Sequence, residues 1–294
     1  FDAGALANLF GRCLPAGFYY KTFMWPGKAW RLYEWFIRRA AGLGKAPRQD
    51  DPDAYAHRYA HAEVVVVGGG ASGLAAAIAA GHTGVRVILV EETPALGGAL
   101  LSEGRFDGPR GGYLAGMVDE LRGLSNVRVL TRTTAIAYYD HNSLVLSERV
   151  TDHLAAPSEH TPRERLWHVR AGQVVLAAGA IERPLVFPGN DRPGVMLMSA
   201  ARTYLNRYGV RVGARAAVFT TNDSVCPGAV ELQRAGVSVT VVDARPGGPA
   251  SHWRDALDQA GVSLVTGSVV TRTFGGPALT AIEIGAWETQ GESV

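Results

Sequence analysis

The chain has little cysteine: two in 294 residues, Cys13 and Cys226, with no Cys-x-x-Cys pair. Their separation fits neither a disulfide framework nor a metal-ligand spacing, and it suits a reducing, cytoplasmic setting. Long hydrophobic runs are also missing. The strongest apolar stretch, residues 74–80, falls far short of the ~20 residues that a membrane-spanning helix needs, so no membrane partner is expected. Neither charge sign dominates, with 29 basic and 27 acidic side chains and a net charge of +2. Such a balance provides no overall field for a polyanion, and no nucleic acid is expected. The 8 histidines are scattered, and none pairs with a carboxylate at ligand spacing. No metal site and no catalytic residue is therefore assigned.

The composition is 47% hydrophobic and 19% charged, as in a globular protein with room for about two domains. Residues 1–61 form an N-terminal aromatic and basic segment ending in a Pro/Asp-rich linker at 47–53. Within it, Trp30, Tyr33 and Ile37 fall on one face of a helical pattern, which reads better as packing than as a membrane-interface belt. The β-branched run Val64-Val65-Val66-Val67 follows, then a glycine loop, an Ala-rich helix and a strand at 85–90. This β-α-β unit opens a first dinucleotide-binding domain over 62–210. Further on come a helix at 112–124, a small antiparallel insertion turning at Asp140-His141-Asn142-Ser143, and a buried strand at 173–178. Laying Gly84 over Gly236 puts residues 64–67 on 216–219, so a second, truncated dinucleotide-type domain is expected over 211–294. The fold class is α/β: a Rossmann-like three-layer FAD/NAD(P)-binding domain with a second, nested dinucleotide-type domain.

The phosphate loop is Gly68-Gly69-Gly70-Ala71-Ser72-Gly73. A lone Gly-x-Gly-x-x-Gly is weak in a glycine-rich chain. Here it follows a strand and opens a helix, and an acidic residue lies at the end of the next strand, which is the full arrangement of a dinucleotide site. Gly68 permits the turn, Gly70 lets the backbone approach a pyrophosphate, and Gly73 lets helix and strand pack. Glu91 or Glu92 would accept from the ribose hydroxyls and would repel a 2′-phosphate, favouring NAD, or FAD at the same site, over NADP. Gly97, Gly98 and Ala99 offer a second backbone loop, and Ala178 and Gly179 end the strand expected beneath the cofactor. In the second repeat the three glycine positions hold Thr220, Asn222 and Val225, so its nucleotide site reads as degenerate, although Asp243 still ends its second strand. Cys226 opens the helix there and reads as inert packing.

The run from Gly17 to Pro26, with Tyr33-Glu34, Ile37-Arg38, Ala41-Gly42-Leu43-Gly44, Asp51-Pro52-Asp53, Arg132-Thr133-Thr134 and Thr220-Thr221-Asn222-Asp223-Ser224, resembles the alpha subunits of heterotetrameric sarcosine oxidases. The resemblance implies NAD in the first fold, with Glu91 and Glu92 at the ribose and Ala99 and Ala135 near the nucleotide. Where the family commonly has Arg, this chain has Thr93. It also implies beta, gamma and delta partner subunits, with FAD on beta and FMN between alpha and beta. Sarcosine would be demethylated away from this chain, which alone would be inactive. Because the chain starts at Phe1 and stops in a strand-like pattern, it reads as a fragment, lacking a returning segment that would cover 174–178. Alternatives are an autonomous NAD(P)H-dependent FAD oxidoreductase, or a subunit of a related amine or opine oxidase.

Overall fold

The computed structural model describes residues 25–42, 48–103, 110–158, 160–276 and 278–287. Cys13 and the aromatic run up to Met24 lie outside the described residues. The chain divides into two units, Phe1–Asp53 and Ala54–Val294.

The first unit's described part is a 3₁₀ turn, Gly27–Ala29, leading into helix α1, Trp30–Ala40. Glu34 and Arg38 pair one turn apart at 3.8 Å, and the Arg39 guanidinium lies over the Trp35 ring at 4.4 Å. Gly42, at φ +68°, ends the helix in the left-handed region that glycine enters without strain. Tyr33 and Ile37 are half-buried, whereas Trp30 is exposed.

In the second unit, strand β1 (Tyr55–Val67), helix α2 (Ala71–His82), β2 (Val87–Val90), α3 (Arg110–Gly123) and β3 (Val127–Leu130) follow one another, with β1 paired parallel to β2 and β2 to β3. An antiparallel meander follows: β4 (Thr133–Tyr139), β5 (Ser143–Arg149) and β6 (Glu164–Leu176), all in one sheet ordered β3-β2-β1-β6-β5-β4. The β4–β5 turn places both His141 and Asn142 at positive φ, +58° and +50°, the conformation that matches hairpin twist. The insertion and the 173–178 strand expected from sequence are here continuous. The first half of β6 pairs with β5 while its whole length runs parallel to β1, from Tyr55↔Glu164 to Val67↔Leu176. Strand β1 likewise begins well before its valine run.

Two apolar clusters flank this sheet. Val66, Leu74, Ala77, Leu89 and Leu121 pack beneath α2 and α3, and Val65, Ile88, Leu144, Leu146 and Trp167 pack beneath the meander. Helices therefore cover one apolar cluster, and the parallel strands and the meander strands of the same sheet share the other. Helix α2 lies close to its neighbours because a Cβ on Gly81 would stand 2.8 Å from Leu124 Cδ1, and Asn126 Nδ2 donates to the carbonyls of Gly81 and Val85 at 2.8 and 2.7 Å. That side chain ties the end of α2, where Gly81 O also accepts from Gly84 N–H at 3.0 Å, to the turn that leads into β2.

Helix α4 (Met198–Arg202) runs into a π turn at Thr203–Arg207. The second three-stranded parallel sheet then forms from β7 (Arg215–Thr220), β8 (Ser238–Asp243) and β9 (Ser263–Thr266), with α5 (Cys226–Arg234) and α6 (Ser251–Gln259) as its connections. An antiparallel pair, β10 (Ser268–Phe274) and β11 (Ala281–Ala286), closes the described chain. Valines 239, 241 and 242 of β8 are buried, as expected for a strand covered on both faces.

Candidate dinucleotide site

The turn out of β1 is dictated by its glycines. Gly68 sits at φ +106°, and a Cβ there would overlap the Ala177 carbonyl oxygen. A Cβ on Gly73 would overlap the Gly68 carbonyl oxygen, so the first turn of α2 can seat on the loop only with glycine at that position. Gly70 differs. Its φ is −75°, and a Cβ there would meet nothing nearer than Gly98 Cα at 3.9 Å. The chain itself imposes no need for glycine at 70, which points to space kept for something outside the chain. Gly70 is the N-cap of α2 and supplies no side-chain acceptor, so the positive end of the helix N-terminus is left uncapped by side chains over Gly70, Ala71 and Ser72. Ala71 and Ser72 are exposed.

The second glycine loop lies against the first. Gly97 N–H donates to Gly69 O at 2.8 Å, and Gly97 and Gly70 form a parallel bridge. Gly98, at φ +53°, would place a Cβ 2.9 Å from Gly70 Cα. Ala99 is exposed in the 3₁₀ turn Gly98–Ser102. On the other side Ala177 N–H donates to Val67 O at 2.8 Å. The strand exit is thereby fixed so that Ala178 lies under Gly68 and exposed Gly179 turns away at φ +75°. Ala135 is placed differently, half-buried and paired across β4 with Leu146.

Glu91 is only 5% exposed. Its Oε2 accepts from Gly69 N–H at 2.7 Å and its Oε1 from Thr93 N–H at 2.8 Å. Sequence placed this carboxylate at a ribose; the structure gives it a further task, holding the phosphate loop. Gly69 N–H is accordingly committed to Glu91. Glu92 is exposed, with its carbonyl accepting from Arg149 Nη2 at 2.7 Å. The only sequence signal for the Glu91 bond is its position at the end of β2, beside the loop.

The second copy of the fold is built otherwise. The buried Thr220 hydroxyl donates to Asn222 O at 2.8 Å, and Asn222 Oδ1 caps Ser224 N–H at 2.9 Å. A 3₁₀ turn, Asp223–Val225, intervenes before α5. The fully buried Asp243 has both oxygens taken by Arg245, at 3.0 Å from Nε and 2.7 Å from Nη2, and the same guanidinium reaches Asp223 at 2.6 Å. Arg245 holds the Asp223 carboxyl below its usual range, and the two aspartates raise the pKa of Arg245. Cys226 is buried, and desolvation, then the charges of Asp223 and Asp243, push its thiol up to about 11. Among the described residues, no group of His, Cys, Asp and Glu side chains is arranged to hold a metal, and no helix is long and apolar enough to cross a membrane.

The chain carries parallel sheets of dinucleotide type in succession, and the family model for FAD dependent oxidoreductases matches residues 63–148. Among solved structures, thioredoxin reductase of T. acidophilum superposes with a TM-score of 0.57 at 14% identity, over 79% of this chain and 72% of that one, a likeness of fold alone. The chain is a homologue of the sarcosine oxidase alpha subunits. It is 52% identical over 97% of its length to the one from Rhizobium meliloti strain 1021, and 45% identical over 79% to that of Corynebacterium sp. strain U-96. It spans 29% and 24% of those relatives' lengths.

Proposed function

We propose that this chain is the dinucleotide-binding part of the alpha subunit of a sarcosine oxidase, a cytoplasmic hetero-oligomeric flavoenzyme that oxidatively demethylates N-methylglycine. Beta, gamma and delta subunits are its partners, with FAD and FMN held elsewhere in the assembly. The first domain, 62–210, takes NAD; the second, 211–294, keeps the fold without a nucleotide; residues 1–61 precede both.

One observation carries the choice of site: Gly70 is a glycine for which the chain has no steric use, at a capless helix N-terminus faced by a second glycine loop. The residues fit a dinucleotide. Gly70, Ala71 and Ser72 would lie along the pyrophosphate, and Gly98 and Ala99 would border it. Glu91 and Glu92 would accept from the adenosine ribose, the former through lone pairs left over by Gly69 and Thr93. Ala135, Ala178 and Gly179 would line the nucleotide. A nicotinamide dinucleotide supplies a hydride acceptor when bound. What this chain contributes is a backbone cradle for the phosphates and a carboxylate that disfavours a ribose phosphate.

Mass spectrometry of the small molecules released from the assembled complex tests this reading. NAD in proportion to the alpha subunit is expected. FAD as the sole dinucleotide, or a Gly70→Val complex that keeps its NAD, would overturn the assignment.

A further inference from the structure

Residues 198–207 carry a polar connection between the two dinucleotide folds. Helix α4 packs tightly on α5, since a Cβ on Gly228 would stand 2.9 Å from Arg202 Cδ. Arg202 forms a two-pronged ion pair with Glu231 of α5, Nε to Oε2 at 2.9 Å and Nη2 to Oε1 at 2.8 Å, with the side chains only 18% and 9% exposed. The Glu231 hydrogen bond, aided by the charges of Glu231 and Glu103, raises the Arg202 pKa against the opposing effect of burial. This geometry fixes the Glu231 carboxylate rigidly, because a planar fork on a carboxylate leaves little rotational freedom.

One turn further on, in the π turn, the Asn206 amide nitrogen spends its two hydrogens on two different folds. Nδ2 donates to Glu231 Oε2 at 2.8 Å and to Ser102 O at 2.9 Å. Thr203 Oγ1 lies 2.9 Å from Ser102 Oγ beside it. Ser102 is the last residue of the 3₁₀ turn Gly98–Ser102, whose first residue rests on Gly70 and whose N-cap, Gly97, bonds to Gly69. An unbroken path of hydrogen bonds and short 3₁₀ backbone thus runs from Glu231 to the phosphate loop. A 3₁₀ turn of this length has few internal bonds to hold it, so its position depends on what grips its end. The π turn, a geometry that recurs at functional sites, puts Asn206 at that grip.

We propose that Asn206 is a positioning residue for the first dinucleotide site: by tying the Ser102 carbonyl to Glu231 it sets Gly97 and Gly98 against Gly69 and Gly70. The proposal rests on reading the loop at 68–73 as a dinucleotide site. It gives the second fold a role that needs no nucleotide of its own, since α5 serves as the fixed anchor. Asn206 would touch no ligand and act only through Ser102.

Amide hydrogen exchange and NAD titration on the assembled complex, wild type against Asn206→Ala, form the test. In nucleotide-free protein the amides of 98–103 should exchange at least tenfold faster in the variant, while those of β1 and α2 keep their wild-type rates. NAD should bind about fivefold more weakly, and Asn206→Gln, which retains the amide donors, should recover part of that loss. Unchanged exchange at 98–103, a uniform acceleration across 54–294, or equal NAD affinity in variant and wild type would each overturn the positioning role. Wild-type complex that binds no NAD would instead remove the site reading on which the role depends, and the exchange at 98–103 would still show whether Asn206 sets the turn.

Discussion

Three of the four glycines of the phosphate loop, Gly68, Gly70 and Gly73, make separable predictions, because the chain uses each differently. At Gly73 an added methyl would overlap the Gly68 carbonyl oxygen, backbone that cannot swing aside as a flexible side chain would. Forcing helix from loop belongs with overpacking, about 1–3 kcal/mol. At Gly68 the overlap with the Ala177 carbonyl is joined by a φ of +106°, a region whose strain for a non-glycine residue is on the order of 1–3 kcal/mol. Gly70→Ala meets neither obstacle. Its nearest protein atom is 3.9 Å away. An alanine N-cap is about 0.5–2 kcal/mol poorer than the best caps, against a few tenths for the glycine it replaces, and loss of glycine's freedom in the unfolded chain returns about 0.4–1 kcal/mol. The net change in stability should lie near zero. Affinity should fall at least tenfold, roughly 1.4 kcal/mol, because the methyl occupies the space reserved for the pyrophosphate. Denaturant melts paired with NAD titration of the three variants decide the matter. If Gly70→Ala is destabilised as much as Gly73→Ala, or if it binds NAD as well as wild type, the argument from empty space at Gly70 is wrong.

Other expectations follow from single contacts. Glu91→Gln keeps one acceptor but turns an amide donor toward either Gly69 N–H or Thr93 N–H, so a loss of about 1–3 kcal/mol is expected in thermal melts even without nucleotide; no loss would mean that Glu91 does not hold the loop. Glu91→Ala with Glu92→Ala should weaken NAD more than NADP, and equal losses in titration would place the carboxylates away from the ribose. Glu63 is held to about 2, well below the usual 4.5, by hydrogen bonds from Arg86. A depressed carboxylate stabilises the fold above its unfolded pKa and loses that contribution as pH falls toward the folded value, so Arg86→Leu should flatten the acid limb of stability between pH 4.5 and about 2. Cys226, raised to about 11 and buried, should resist iodoacetamide at neutral pH until the protein unfolds; rapid labelling of the native state would contradict its packing role.

The β-α-β unit was legible because its signals are local. A β-branched run, three glycines at fixed offsets and an acidic residue at the end of the next strand all follow from how the chain turns on itself, and the structure builds them in that order. The length of β1 was not legible. Its first half, Tyr55-Ala56-His57-Arg58-Tyr59-Ala60-His61, has polar side chains on the exposed face and only alanine and arginine on the other, so nothing marks it as strand. It is ordered by pairing with β6, more than a hundred residues away. For the same reason the 164–176 strand reads as two pieces, half belonging to a meander and half to a parallel sheet. Within the site, the Glu91 bond to Gly69 and the Asn206 bond to Ser102 depend on tertiary placement of polar groups, which no periodicity encodes.

On the proposed reading, little sequence separates the site in the first copy of the fold from the scaffold in the second. Both have a parallel pair joined by a helix, and both end the second strand in an acid, Glu91 or Asp243. In the first copy the acid accepts from one loop amide, Gly69 N–H, and from Thr93 N–H, and brings no cation with it, so the helix N-terminus keeps its positive character. In the second the acid is neutralised by Arg245, and that guanidinium is in turn bound by Asp223. Asp223 lies between the strand and α5, where a pyrophosphate would otherwise approach. A carboxylate there already supplies the negative charge that the helix end favours, and a diphosphate would meet like charge. Opening the second site would therefore require more than restoring glycines at Thr220, Asn222 and Val225. Asp223 would have to go, which would leave Arg245 bound to Asp243 alone. The degenerate loop and the ion pair are thus one feature: once the loop carries its own anion, nothing remains for glycines to admit.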